Sequence, residues 1–270
     1  MVDSSAPTLR DALGLAWMLA KRDLKHRYAS SYGGVTWNIG VPLLYALTNV
    51  IVFSVLMSGR MGERYGDIPF ALFFFVPFSL WIVFAEVAAR STSILKDYAY
   101  LINKIAFPVW VLPLIPFASA LVSQLVILVI SVGLLLYFDV SIADTAGFYI
   151  LTWIILVTLT LGVSYLISAL SAFIPDMAQA VPIGVNIFFW LTPILYPATL
   201  VENYGIVWIE NIIINFNPFH YLIDMSRHAV FGSAQISWTI IGAMSLVSVL
   251  VLLLGTWVFR KLQPGFADVI

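Results

Sequence analysis

The chain has 270 residues, of which 61% are hydrophobic and only 10% charged, and its mean hydropathy is +0.99. Soluble domains carry about 25% charged residues, so much of this chain is built to face lipid. A net charge of −1 argues against a nucleic-acid partner, and the lack of any cysteine rules out disulfide and thiol chemistry.

The first residues, "MVDSSAPTLRDALGLAW", lack a basic start, a short apolar core and a small-residue cleavage site. No cleaved signal is expected, and the first apolar span serves as its own insertion signal. Over residues 8–30, Leu9, Leu13, Ala16, Trp17, Ala20, Leu24 and Tyr28 recur at three- and four-residue steps, with Arg10, Asp11, Lys21, Arg22, Lys25 and His26 largely opposite. That period predicts an amphipathic helix. It is too charged to span, so it is expected to lie in the cytoplasmic interface, its cations near lipid phosphate. Simple topological anchoring fits the same cations.

A membrane helix needs roughly 20 apolar residues. Six stretches qualify: about 35–57, 68–89, 111–138, 146–170, 180–196 and 238–259. The fifth is short and crowded by Pro182, Pro193 and Pro197, which predicts a kinked or broken helix sheltered by protein or a cavity. With the N-terminus inside, ten Lys and Arg fall on the cytoplasmic side and only Arg60, Arg64 and Arg227 outside. The positive-inside rule then puts both termini in the cytoplasm.

Glu86 and Arg90 stand four apart near the end of the second span, a spacing that permits an ion pair. Intramembrane acids are functional candidates by default, though a local pair at the interface explains this one equally well. The runs "FALFFFVPFSLWIVF" and "FFWLTPILY" concentrate aromatic rings. Such rings can stack on sugars or face lipid as an interfacial belt. No G-x-x-x-x-G-K-[ST] loop and no H-E-x-x-H occur, so the chain is not a P-loop ATPase. His220, Asp224 and His228 fall at helical spacing, which leaves a metal or catalytic site on one face conceivable. The stretch 197–237, with "IVWIENIIINF", is apolar enough to dip back into the outer leaflet.

Five motifs in order then resemble the membrane subunits of type-2 ABC exporters of lipid-linked polysaccharides, such as O-antigen, capsule or teichoic-acid exporters. They are Arg22-Asp23 with Arg27-Tyr28, Ser31, Gly34, Trp37 and Pro42; "LINKIAFPVWVLP"; "FWLTPILYP"; "NPFHYLIDMSR"; and the tail "FRKLQPGFADVI". The sequence departs at Gly33, where the family often has a larger apolar residue, and at Pro175, where arginine is common.

The resemblance implies an all-α integral membrane fold: six transmembrane helices, an interface helix and a partly re-entrant external segment. It implies the channel-forming half of an exporter in the bacterial cytoplasmic membrane, moving a lipid-linked polysaccharide, most simply of O-antigen type. Two copies would pair, and two copies of a separate ATPase would bind ATP and Mg beneath them, with no cofactor in this chain.

The loop 91–104 would be a coupling helix, with Lys96, Asp97, Tyr98 and Tyr100 as ATPase contacts and Asp176 and Gln179 as a smaller second contact. The N-terminal helix would flank a cytoplasmic entrance where Arg22, Lys25, Arg27 and Tyr28 meet a lipid pyrophosphate. Tyr45, Phe78, Trp81, Phe188 and Trp190 are the expected glycan lining. The segment 197–237 is the expected external gate, with Tyr196, Asn217, Asp224 and Arg227 as its residues. Two other readings remain: a small-molecule or drug efflux permease, and an intramembrane enzyme acting on lipid-linked sugars, which would need acids, histidines and arginines clustered at one membrane face.

Overall fold

The computed structural model describes residues 9–27, 33–56, 68–102, 107–232 and 238–270, and every regular element there is helical. The helix expected at the interface is α1 (Leu9–Arg27), followed by α2 (Trp37–Leu56) and α3 (Phe70–Ser91). Two single-turn helices, α4 (Ile94–Asp97) and α5 (Ala99–Ile102), lead to α6 (Leu114–Tyr137) and α7 (Gly147–Phe173). Then come α8 (Met177–Leu191), short α9 (Thr199–Tyr204) and α10 (Val207–Glu210), a π turn at Asn211–Asn215, α11 (Pro218–Phe231), α12 (Trp238–Leu262) and the tail helix α13 (Phe266–Val269).

Five segments are long and apolar enough to cross a membrane: Ile39–Leu56, Phe70–Ser91, Val109–Tyr137, Gly147–Phe173 and Trp238–Val269. The expected fifth span differs. Its helix, α8, starts at Met177 rather than 180 and stops at Leu191 rather than 196, giving 15 residues. At 1.5 Å per residue it covers about 22 Å, short of the ~30 Å hydrocarbon layer. The stop is local: Thr192 is extended (φ −96, ψ 132), as a residue before proline prefers to be, and Pro193 follows.

Helix α3 forms the middle of the bundle, with seventeen of its 22 residues buried. Hydroxyls tie it to its neighbours. Ser79 and the Tyr149 hydroxyl of α7 are 2.6 Å apart, Ser91 and Ser164 of α7 are 2.8 Å apart, and Ser164 donates to the Pro113 carbonyl at 2.8 Å. Interhelical hydrogen bonds and small residues hold membrane helices together where lipid offers no hydrophobic contrast. Between α7 and α12 the glycines do this: a Cβ on Gly162 would lie 2.6 Å from the Leu252 main-chain nitrogen, and one on Gly255 would strike the Gly162 carbonyl.

One end of the bundle, here the basal end, gathers both ends of the described chain. Leu19 and Ala20 of α1 share a core with Ile94 and Leu95 of α4, Phe259 of α12 and Phe266 of α13. Helix α1 is not two-faced as its apolar period suggests. Ala16, Leu19, Ala20 and Asp23 pack against the protein, while Leu13, Trp17 and Met18 stay exposed beside the polar side. At the distal end, Thr145 donates to the His228 carbonyl of α11 at 2.9 Å.

The glycine contact sets a test. Gly255→Leu should separate α7 from α12 and cost about 1–3 kcal/mol, the usual penalty for overpacking, read as a lower melting temperature of the detergent-purified chain. Gly242→Leu, at a glycine with open space around it, should leave the melting temperature close to that of the parent.

Candidate functional site

Chemistry-bearing residues gather in three places. The first is at the basal end, where α3 runs into the loop expected to couple. Arg90 pairs with Asp23 of α1, with the Asp97 carboxylate of α4 at 2.8 Å, and donates to Ser93 at 2.9 Å. Asp23 is only 5% exposed, and a buried carboxylate is tolerable only when paired. Glu86 stands one turn before Arg90 on α3, and the Arg90 guanidinium reaches across to Asp23 and Asp97. Asp23 follows Ala16, Leu19 and Ala20 on the inward face of α1, so its burial was legible as helical spacing; its partner, 67 residues away, was not.

Tyr98 corrects an expectation. It is buried and donates from its hydroxyl to the Leu19 carbonyl at 3.3 Å, so it fastens α1 instead of facing a partner. Burial first, then the neighbouring Asp23 charge, pushes its phenol up to about 12. Lys96, Asp97 and Tyr100 remain exposed, and so do Asp176 and Gln179 at the start of α8. Arg22 lies 5.4 Å over the Tyr100 ring, a cation–π distance. Arg22 and Lys25 are exposed. The Arg27 side chain and all of Tyr28 and Lys104 lie outside the described residues.

The second place is an aromatic junction of α2, α3, α8 and α11. Trp81 meets Phe188 at 5.8 Å, Phe189 at 5.6 Å and Phe219 at 5.3 Å, and Phe84 meets Phe219 at 4.4 Å. Phe78 and Trp81 are 1% and 4% exposed and packed against neighbouring rings, and with Tyr45 they also line a small cavity. Phe188 is half-buried, whereas Tyr45 and Trp190 keep 39% and 50% of their surface. A cavity of 180 Å³ opens between α2, α3 and α8, with Tyr45 and Asn186 on its wall.

The third place is built on α11. Asn217 caps this helix by accepting from the Phe219 and His220 amides at 2.9 and 3.3 Å, and Pro218 takes the first helical position, where its missing N–H costs nothing. The Asn217 amide donates to Thr192 at 3.0 Å, so the α11 cap also holds the end of α8.

Arg227 is 1% exposed. It donates to the Pro193 and Ile194 carbonyls, each at 2.9 Å, and through Nε and Nη2 to the Phe73 carbonyl at 3.4 Å. Its guanidinium sits 3.5 Å over the Phe73 ring. The Phe73 carbonyl is available because the residue four ahead is Pro77, which has no N–H to give it. Tyr196 donates to the Trp190 carbonyl at 3.1 Å, and Asp224 is half-buried on α11.

The histidines do not converge. His220 and His228 stand at opposite ends of α11, about 12 Å apart along its axis, and no group of three metal-ligating side chains occurs among the described residues.

Residues 14–231 match the family model described as ABC-2 type transporter. The chain is 27% identical over 260 residues to the O-antigen export system permease protein RfbA of Myxococcus xanthus, covering 94% of this chain and 95% of that protein. It is 28% identical over 259 residues to a protein of the same name from Klebsiella pneumoniae, covering 94% and 93%. To the polysialic acid transport protein KpsM of Escherichia coli it is 22% identical over 256 residues, covering 90% and 92%.

Three substitutions test the two arginine junctions. Arg227→Lys keeps the charge but loses the planar fork that reaches three carbonyls. Unsatisfied buried acceptors should cost about 2–4 kcal/mol, seen as a large drop in melting temperature. Arg90→Ala takes the guanidinium from buried Asp23 and should cost about 3 kcal/mol. Asp23→Ala combined with Arg90→Ala should then lose less than the sum of the single changes in a double-mutant cycle.

Proposed function

The chain belongs to the ABC-2 type transporter family, and from that premise we propose that it is the channel-forming subunit of an ATP-driven exporter of a lipid-linked polysaccharide of O-antigen type. The observation that carries this reading is end-to-end similarity to permeases named for O-antigen export, over 94% of this chain. The residues suit the role: the chain has no P-loop of its own, and its basal end offers a compact polar surface around Lys96, Asp97 and Tyr100 for a separate ATPase.

In this proposal the basal end faces the cytoplasm of a bacterial inner membrane, and two copies pair around the glycan path. Pairing is supported by α2 and α8, whose outward faces stay exposed at Leu44, Ile51, Val55, Ile183 and Ile187. A helix as short as α8 also needs shelter where it stops. The segment 197–237 is read as re-entrant: Phe219 reaches the Trp81 and Phe84 rings deep along α3, while the far end of α11 is tied to Thr145 between α6 and α7. Arg227 and Asn217 then set the geometry of an external gate. Tyr45 and Trp190 are the rings left to stack on sugar, a contact that grips without fixed hydrogen bonds and lets a polymer slide.

Closure of the two ATPases would push the loop that carries Lys96. Arg90 passes that displacement to α1 and α3 together, because it holds Asp23 and Asp97 at once. Arg22 and Lys25 on α1 would meet the lipid pyrophosphate at the entrance.

The test is purification of the tagged chain from mild detergent after expression with its native neighbours. A P-loop ATPase is expected at one copy per copy of this chain, with lipid-linked glycan stimulating its turnover. Lys96→Glu with Tyr100→Ala should weaken ATPase docking about tenfold, the loss expected of a small hot spot, without lowering the melting temperature of the permease. A folded preparation that retains no ATPase would sink the exporter reading, and stimulation by small apolar compounds alone would turn it toward drug efflux.

A further inference from the structure

The basal end of α12 carries polar groups that no junction above uses. Two cavities, of 340 and 480 Å³, lie on either side of Thr256 and Arg260. The smaller is walled by Trp110, Tyr165, Phe259 and Gln263, the larger by Leu253, Leu254 and Trp257. Tyr165 spends its proton on the Trp110 carbonyl at 2.8 Å, and Thr256 spends its own on the Leu252 carbonyl at 2.8 Å. That leaves three donors around the smaller cavity: the Arg260 guanidinium, the Gln263 amide and the Trp110 indole N–H. None of these has a hydrogen-bond or ion-pair partner among the described residues. Arg260 is exposed, and its neighbour Lys261 is occupied over the Trp257 ring at 5.0 Å.

Three unspent donors, one of them a cation with planar fork geometry, form an acceptor-seeking pocket, and guanidinium pairs with phosphate bidentately. The adjoining wall is of the opposite kind. Leu253, Leu254 and Trp257 are exposed and apolar, and Leu253 lies about 10 Å along the helix from Arg260, toward the membrane centre. A polar pocket opening onto an apolar groove at that depth matches a phosphate headgroup with its acyl chain beneath it. A free anion would use the pocket and leave the groove empty. General attraction of cations to an anionic surface would make Lys261, which lines neither cavity, count as much as Arg260.

We infer that the Trp110–Arg260–Gln263 pocket with its Leu253–Trp257 groove is a binding site for an anionic phospholipid of the leaflet at the basal end. The exporter reading is used only to name that leaflet as cytoplasmic. The bound phosphate joins the end of α12 to the Trp110 turn, whose Val111 packs with Ala16 of α1.

Native mass spectrometry of the intact purified chain, titrated with phosphatidylglycerol or phosphatidylcholine, tests this without any ATPase, so its failure is separable from failure of the exporter reading. Phosphatidylglycerol is expected to bind more tightly than phosphatidylcholine. Arg260→Ala should weaken phosphatidylglycerol about fivefold, one basic residue's worth at a lipid surface, and Gln263→Leu should weaken it less while keeping the charge. Lys261→Ala should change little. A melting curve for each variant separates lost binding from lost fold. Equal losses for Arg260→Ala and Lys261→Ala, equal binding of the two lipids, or displacement of the lipid by inorganic phosphate would each overturn the proposal. So would a polyprenyl pyrophosphate that binds where phosphatidylglycerol does not, since the site would then belong to the cargo.

Discussion

Arg227 is a fully desolvated cation, and the distal half of the molecule is arranged around the cost of keeping it. A charge of this kind inside a membrane bundle persists only where the protein replaces water with other acceptors. Here the acceptors are main-chain carbonyls that broken helices have released: Phe73, freed by Pro77, and Pro193 and Ile194, freed where α8 stops. The prolines that interrupt α3 and α8 and the arginine that repairs the interruption are therefore one device. Removing either side leaves the other in deficit.

A second arginine does the corresponding work at the basal end. Arg90 closes α3 onto Asp23 of α1 and Asp97 of α4, with Tyr98 adding a bond to the Leu19 carbonyl. The two junctions stand at opposite ends of one helix, which spans about 33 Å at 1.5 Å per residue. Because α3 is buried along most of its length and bonded to α7 at Ser79 and Ser91, it behaves as a stiff member. In the proposed exporter, displacement of the loop beyond Ser91 would be passed on to α1 and along α3. The two arginines are thus linked by a rigid element, the physical condition for coupling between distant sites.

Not all of the molecule is tied so closely. Helices α2 and α8 leave long apolar faces open, and the exposed rings of Tyr45 and Trp190 lie on them. Behind them Trp81, Phe84, Phe188 and Phe219 pack edge to face or tilted. Such packing contributes beyond area burial and anchors the inner end of α11. A firm inner layer with an open outer layer suits a surface that meets a partner copy or a passing chain.

The sequence alone determined the helical class, because backbone groups in lipid must be satisfied within the segment and the apolar runs are long enough for little else. It also marked the fifth helix as short and interrupted by its prolines, though not that it stops at Leu191, and it gave α1 its helical period. These are local effects, readable within a few residues. Tertiary structure decided the partners. Asp23 pairs with Arg90 across 67 positions, Arg227 donates to carbonyls of three residues on two other segments, Tyr98 turns inward, and Phe78 and Trp81 pack among rings at the edge of a small cavity. Helical period says which face a residue occupies but not which helix lies opposite, and a buried charge or ring takes its role from whatever acceptor or ring the neighbouring helix presents.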